Sequence, residues 1–132
     1  MTTFPTITVA VLNLDSRDLL LKQLEWMDSL YKSLPAELRK YVYCLVSDNA
    51  SRDDSAKALA GFAEGREWFS YSVQPEFVHV DINIITCYEK SDTDYVWLMA
   101  VDDYICSGEN IVQVLDLLKD HRLSGLTFPI SP

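Results

Sequence analysis

Two adjacent carboxylates, Asp102 and Asp103, directly follow an apolar run at residues 95–101. The run is rich in aromatic and β-branched side chains, which is typical of a buried strand. In an open α/β sheet, ligands bind just beyond the carboxyl ends of the strands. Mg²⁺ and Mn²⁺ favour carboxylate oxygens and keep positions open for water or substrate phosphates. The pair therefore predicts a metal site that receives a phosphorylated ligand.

Polar side chains also follow two earlier strand-like runs. Asn13 and Asp15 come after the first run, and Asp48, Asn49 and Ser51 come after the second. Each set has a structural alternative, because Asp15 is a good helix cap and Asp48-Asn49 is a common turn pair. Paired Asp residues in a loop are often simply solvated. Together, at successive strand ends, they predict an acidic cleft.

Several common site motifs are missing from the sequence. It contains no GxGxxG, no GxxxxGK[ST] and no GxSxG, which argues against a dinucleotide site, a P-loop and a nucleophile elbow. Of the two histidines, His79 is a candidate to approach a phosphate on the cleft side. His121 is expected to lie at the carboxyl end of a helix, where a histidine interacts favourably with the helix dipole.

Alternating patterns predict the elements that position these residues. The predicted strands are residues 7–12, 41–46, 69–73, 95–101 and 125–128. One predicted helix starts after Asp15 or Ser16 and ends near residue 31, a second starts after Ser51 or Asp53 and ends near residue 62, and another spans residues 110–119. The isoleucines of residues 80–88 fit a strand or a buried helix, and the alternation with neighbouring strands favours a helix. Pro35 ends the first helix or starts a further turn over residues 36–40, and Gly61 and Gly65 mark the end of the second. Strands alternating with helices indicate a mainly parallel sheet with right-handed crossovers.

Composition restricts the class of protein. The 132 residues suit one domain, and 48% hydrophobic with 23% charged residues is ordinary globular composition. The net charge of −9, from 20 acidic and 11 basic residues, disfavours binding to nucleic acid or to an anionic membrane. An acidic protein that binds a phosphorylated ligand needs a metal or local donors to offset repulsion.

Cysteine usage and terminal sequence predict a cytoplasmic setting. The three cysteines are odd in number and form no CxxC, so neither a disulfide framework nor a zinc site is expected. Cys44 lies in an apolar run and should behave as a small buried hydrophobe. No signal-peptide pattern opens the chain, and no apolar run reaches the roughly 20 residues of a membrane helix.

Three segments together resemble the nucleotide-binding half of a family 2 glycosyltransferase of the GT-A fold. Residues 9–17, VAVLNLDSR, resemble the family's first strand and loop, commonly IVIPTYNR. Residues 45–53, LVSDNASRD, resemble its VVDNGSTD element. Residues 94–103, DYVWLMAVDD, resemble the YVWLLGDDD run that holds the DxD metal motif, and Asp81 and Asn83 fit a weaker element upstream.

This resemblance implies a fold, a ligand and a set of site residues. The fold would be α/β and three-layered, a Rossmann-like, mainly parallel sheet with helices on both faces, of truncated GT-A type. The ligand would be a nucleotide-diphospho-sugar donor bound through Mn²⁺ or Mg²⁺. The donor-binding positions would be Leu12, Asn13, Asp15, Asp48, Asn83 and Asp102. Asp48 would contact the base, and Asp102 and Asp103 would hold the metal, with Asp103 the direct ligand of the ion.

The sequence departs from the family pattern at four positions. Val101 replaces the first acid of the triple, and Ala50 replaces the Gly of the second element. Leu12 stands in place of Pro, and Leu14 in place of an aromatic residue that could stack on the base.

The resemblance covers residues 1–132 as a single donor-binding domain. It implies that the acceptor half and the catalytic base are absent, so no residue is assigned as the base and the chain alone is expected to transfer no sugar. One alternative is an inactive GT-A-like binding or oligomerisation module, and a less favoured one is a flavodoxin-like signalling domain. Self-association is also expected if apolar surface is left uncovered.

Overall fold

The computed structural model describes residues 4–121, which form four parallel strands and four α-helices. The strands are β1 (Ile7–Asn13), β2 (Val42–Asp48), β3 (Phe69–Val73) and β4 (Tyr95–Ala100). The helices are α1 (Arg17–Ser33), α2 (Ser55–Ala63), α3 (Val80–Lys90) and α4 (Gly108–His121). A 3₁₀ helix (Ala36–Tyr41) follows Pro35, as one of the two alternatives predicted.

The strand order in the sheet is β3-β2-β1-β4, and every pair is parallel. The register pairs Asn13 of β1 with Asp48 of β2, and Leu12 with Ala100 of β4. The chain therefore builds outward from β1 in one direction through β3, and then returns to the other side of β1 to form β4. The carboxyl ends of all four strands lie on one edge.

Helices cover both faces of this sheet, so the fold has three layers. Alternate residues of β1 such as Val9 and Val11 join a large core with residues of α1, α2 and α4, including Leu20, Leu59 and Leu115. On the opposite face, Ala10, Leu45 and Cys87 of α3 form a smaller cluster. The predicted α/β class with a parallel sheet and helices on both faces is confirmed.

Helix α1 forms because its apolar side chains recur at helical spacing. Leu20, Leu24, Met27 and Leu30 are all buried on one face. The α3 segment, whose isoleucines also suited a strand, is helical as predicted.

Ser16 is the N-cap residue of α1, one of the two alternatives predicted, but its hydroxyl donates to the Leu14 carbonyl and makes no capping hydrogen bond. Three other local predictions were wrong. The N-cap residue of α2 is Asp54, not Ser51 or Asp53. Strand β2 continues through Ser47 and Asp48, which pair with both neighbouring strands instead of opening a turn. Gly61 lies inside α2, so only Gly65, with φ of 75°, marks the chain reversal after that helix. The predicted strand at residues 125–128 lies outside the described residues.

Candidate functional site

The loops after β1 and β4 flank the point where the strand order reverses. In open parallel sheets the crevice at such a switch point is where ligands bind. Leu12 and Ala100 are register partners, so the loop from Asn13 and the loop from Val101 begin side by side. The sheet thus brings the two predicted site segments together at one edge.

Asp48 is fully buried at this edge and its carboxylate is already engaged within the protein. One oxygen accepts from Asn13 Nδ2 at 2.8 Å and from the Ser51 hydroxyl at 2.6 Å. The other accepts from the Ser51 backbone N–H at 2.9 Å. Asp48, predicted to contact a base, therefore anchors the turn after β2 and ties it to β1.

Asn13 is also buried, and only the nitrogen of its side-chain amide makes hydrogen bonds within the described residues. Its Nδ2 donates to Asp48 and to the Ser55 hydroxyl, the latter at 3.1 Å. Its Oδ1 has no hydrogen-bond partner among the described residues. Because a buried unpaired acceptor costs stability, this oxygen marks a place where the edge is not optimised for packing alone.

The turn anchored by Asp48 holds Ala50 in a left-handed conformation, with φ of 54°. This is the position at which the family's pattern has Gly, a residue that adopts this region without a Cβ clash. The sequence departure at Ala50 therefore has a structural cost, and the backbone of the turn keeps the shape that Gly would favour.

Asp15 and Asp53 join the β1 loop to the β2 loop. The Asp15 carboxylate accepts from the Arg52 backbone N–H at 2.7 Å and from its guanidinium at 3.1 Å. The Asp53 carboxylate accepts from Ser55 N at 2.9 Å and from Arg17 N at 3.1 Å, so one side chain serves the first turns of both α2 and α1. Hydrogen bonding from Ser55 is the main cause that lowers the pKa of Asp53.

Asn83, a predicted donor-binding residue, is buried between α3 and β2. Its Oδ1 accepts from the Ser47 hydroxyl at 2.6 Å, and its Nδ2 donates to the Ser47 carbonyl at 3.2 Å. These contacts fix α3 to the sheet. Leu12, half-buried, packs against the cluster on that same face.

Asp102 and Asp103 are both exposed in the turn after β4. Asp103 Oδ2 accepts from the Ala100 N–H at 3.0 Å, and the Asp103 N–H donates to the Ala100 carbonyl at 3.0 Å, which closes a tight turn. The Asp102 carboxylate makes no hydrogen bond or ion pair within the described residues.

The donor set of this turn fits a metal that shares its coordination with a ligand. Within residues 4–121, no cluster of three or more His, Cys, Asp or Glu side chains could enclose an ion. Mg²⁺ is commonly bound by one or two carboxylates together with waters and substrate phosphates. Two exposed, adjacent carboxylates at a switch point match that pattern, whereas an all-protein metal cage is not supported.

Sequence reasoning missed the residue that holds this turn in place. Gln23 of α1 is fully buried, and its Nε2 donates to the Val101 carbonyl at 3.0 Å and to the Asp103 carbonyl at 2.6 Å. Three residues further along α1, Trp26 packs edge-to-face on Tyr104 with ring centroids 5.7 Å apart. A polar residue on the buried stripe of α1 was the available signal.

The side-chain contacts of His79 are with Asp81 of α3 and not with the Asp102–Asp103 turn. His79 is the N-cap residue of α3, and its Nδ1 accepts from the Asp81 N–H at 3.2 Å. His121 is the last residue of α4, in agreement with its predicted place at a helix end.

The cysteines are free thiols, and two of them are buried. Burial raises the pKa of Cys44 to about 12 and that of Cys87 to about 11. Cys44 is thus the small buried hydrophobe predicted. Cys106 is exposed.

Two surface hollows lie away from the carboxyl edge. One of about 550 Å³ lies between the end of α2 and the start of β3, beside Arg66 and Trp68. The other, of about 270 Å³, lies at the amino edge of the sheet and includes Thr8 and Thr93. Neither of these two hollows contains the residues predicted to bind a ligand.

Solved structures with this fold include glycosyltransferases. A mannosyltransferase from Pyrobaculum calidifontis, in complex with GDP-Man and Mn²⁺, superposes with a TM-score of 0.75 at 18% identity, over 91% of this chain and 34% of that one. S. aureus TarS 1-349 superposes with a TM-score of 0.73 at 16% identity, over 96% of this chain and 39% of that one. The same protein in complex with UDP-GlcNAc gives a TM-score of 0.70 at 16% identity, over 96% of this chain and 37% of that one.

These comparisons concern the fold. No family model matches the chain, and no curated protein matches its sequence. The chain spans 34% to 39% of the length of these structures. Among the described residues no helix is both long and apolar enough to cross a membrane. The chain has a GT-A-like glycosyltransferase fold.

Proposed function

We propose that the chain is the donor-binding domain of a family 2 glycosyltransferase, and that it binds the nucleoside diphosphate of a sugar donor at the carboxyl edge of β1 and β4. The observation that carries this proposal is the exposed Asp102–Asp103 turn at the switch point of a GT-A-like sheet.

Asp102 and Asp103 would hold a divalent ion together with the diphosphate oxygens of the donor. The free carboxylate of Asp102 is the more available ligand, since Asp103 already uses one oxygen to close its turn. When bound, Mn²⁺ or Mg²⁺ would offset the charge on the diphosphate and act as a Lewis acid. In a chain of net charge −9, such a counter-charge at the site would offset repulsion of an anionic ligand.

The buried polar residues would shape the donor pocket from below. Asp48 and Asn13 fix the turn that contains Ala50, and Asn83 fixes α3 to β2. In this proposal the base meets the exposed surface of the β1 and β2 loops, including Asp15, while the buried carboxylate of Asp48 acts through the shape of the turn.

A GT-A-like module that has lost donor binding is the second candidate. One specific observation favours it: the polar atoms of the Asp48 and Asn83 side chains already make hydrogen bonds within the protein. The two candidates differ in a single measurable property, which is metal-dependent affinity for a nucleoside diphosphate.

Calorimetric titration of UDP and of GDP, each with and without Mn²⁺, tests the proposal. We expect Mn²⁺ to strengthen binding of at least one of them, and Asp102→Asn and Asp103→Ala each to remove that gain. Asp92→Asn is the matched control, since Asp92 is an exposed carboxylate beside the hollow at the opposite edge of the sheet. A folded protein that binds neither nucleotide under any condition supports the inactive module.

The same proposal includes a cytoplasmic setting and self-association. Free thiols at all three cysteines suit a reducing compartment. On α3 the side chains of Ile82, Ile85 and Tyr88 are about half exposed, which is apolar surface that a second copy could cover. A monomeric mass by light scattering at high concentration argues against self-association.

A further inference from the structure

We infer that Gln23 is a positioning residue for the acidic turn: its buried amide holds the backbone on both sides of Asp102 so that the two carboxylates face outward together. This inference rests on the proposed function, because it assigns Gln23 a purpose in metal-dependent donor binding. Gln23 lies on a different element from the turn, 78 residues before Val101.

The contacts of Gln23 bracket the residue that is most available to a metal. Its Nε2 uses both protons, one on the Val101 carbonyl at 3.0 Å and one on the Asp103 carbonyl at 2.6 Å. Asp102 lies between these two fixed points. Because α1 holds both of these carbonyls, the backbone of the turn cannot reorient without breaking the hydrogen bonds to Gln23.

Apolar packing fixes the same turn at both ends. Val101 and Ile105 are buried in the main core, with exposures of 8% and 3%, whereas the residues between them are exposed. Tyr104 packs on Trp26, which belongs to the same stretch of α1 as Gln23. The segment is therefore attached to α1 and to the core while its carboxylates remain in solvent.

The amide oxygen of Gln23 distinguishes this residue from an ordinary core side chain. It is buried and has no hydrogen-bond partner among the described residues. A core selected for stability alone tends to avoid such an orphan acceptor, and Leu or Met would fill this position without one. Retaining the amide is explained if its two donors are needed at the turn.

Hydrogen exchange and metal binding, measured on the same variants, test the inference. Gln23→Met keeps the volume of the side chain and removes both donors. We expect backbone amides of residues 101–104 to exchange faster, and the Mn²⁺-dependent affinity for UDP or GDP to fall about 10-fold or more, as on loss of other outer-shell partners. Nucleotide binding without Mn²⁺ should be unchanged. Gln23→Asn, which keeps the amide but shortens its reach, is the second variant and should show the same losses.

Leu59→Val is the control, since Leu59 is equally buried but belongs to α2. It should lower overall stability while leaving exchange at residues 101–104 and Mn²⁺ affinity near those of the wild type. If Gln23→Met retains Mn²⁺-dependent affinity, or leaves exchange in the turn unchanged, the inference is overturned and the proposed function stands. If the wild type shows no Mn²⁺-dependent binding, both the proposed function and the assignment of Gln23 to a metal site are overturned.

Discussion

Replacing Asp48 by Asn tests whether this carboxylate anchors the turn after β2. In the wild type its two oxygens accept three hydrogen bonds, from Asn13 Nδ2, the Ser51 hydroxyl and Ser51 N. An Asn side chain keeps one oxygen, which can retain the first two contacts, and places its NH₂ against the Ser51 N–H. Two donors then face each other in a fully buried position.

The expected loss of stability follows from these contacts. A hydrogen bond to a charged acceptor contributes about 1.5–3 kcal/mol, and the retained bonds weaken when the acceptor loses its charge. Asn is easier to bury than a carboxylate, which offsets part of this loss. We therefore expect Asp48→Asn to lower the free energy of unfolding by about 2 kcal/mol.

Urea denaturation followed by circular dichroism measures the change. For a protein of this size the urea slope is about 1–3 kcal/mol per molar, so the midpoint should fall by about 1 M. Asp102→Asn is the matched control, and its exposed position predicts a change within about 0.5 kcal/mol. If Asp48→Asn unfolds at the same urea concentration as this control, the carboxylate does not anchor the turn.

Three further predictions concern the same edge and the core. Ala50→Gly should raise the free energy of unfolding by about 0.5 kcal/mol, because relief of about 1–2 kcal/mol of left-handed strain exceeds the added entropy of the unfolded chain; an unchanged urea midpoint contradicts this. Hydrogen bonding from Ser55 lowers the pKa of Asp53, so the ionised carboxylate stabilises the fold above about pH 4, and this stabilisation is lost as the pH falls through the lowered pKa of the folded state. The difference in free energy of unfolding between wild type and Asp53→Asn should therefore shrink on acidification. A difference that does not change with pH refutes this prediction. In a thiol titration at pH 8, Cys106 should react at once and the two buried cysteines only after denaturant is added, whereas rapid reaction of all three contradicts their burial.

Much of the fold was predictable because apolar periodicity and strand alternation are local signals. The first and last residues of β3 are those predicted, and α3 was predicted from its place between two strands. Helix caps were less predictable, since the N–H of Arg17 donates to the carboxylate of Asp53, a residue 36 positions away. A cap supplied from another loop leaves no local pattern.

The sequence predicted that the candidate residues lie at one edge of the sheet, but not which contacts each of them makes. Strand ends gave the location of Asn13, Asp48 and Asp102, but the sequence could not distinguish a side chain that meets a ligand from one that supports the turn beneath it. That difference depends on burial, which is set by how the loops after β1 and β2 fold onto each other. Gln23 was missed for the same reason, because its partners are carbonyl groups and not a residue type.

Paramagnetic broadening by Mn²⁺ in an amide-resolved NMR spectrum is the most direct test of the central claim. With UDP or GDP present, substoichiometric Mn²⁺ should broaden the resonances of Asp102 and Asp103 first and those of Asn13–Asp15 next, because both loops flank the switch point. Asp92, beside the hollow at the opposite edge of the sheet, should keep a sharp resonance. Broadening that is absent with both nucleotides, or centred away from Asp102 and Asp103, would contradict the proposed donor site.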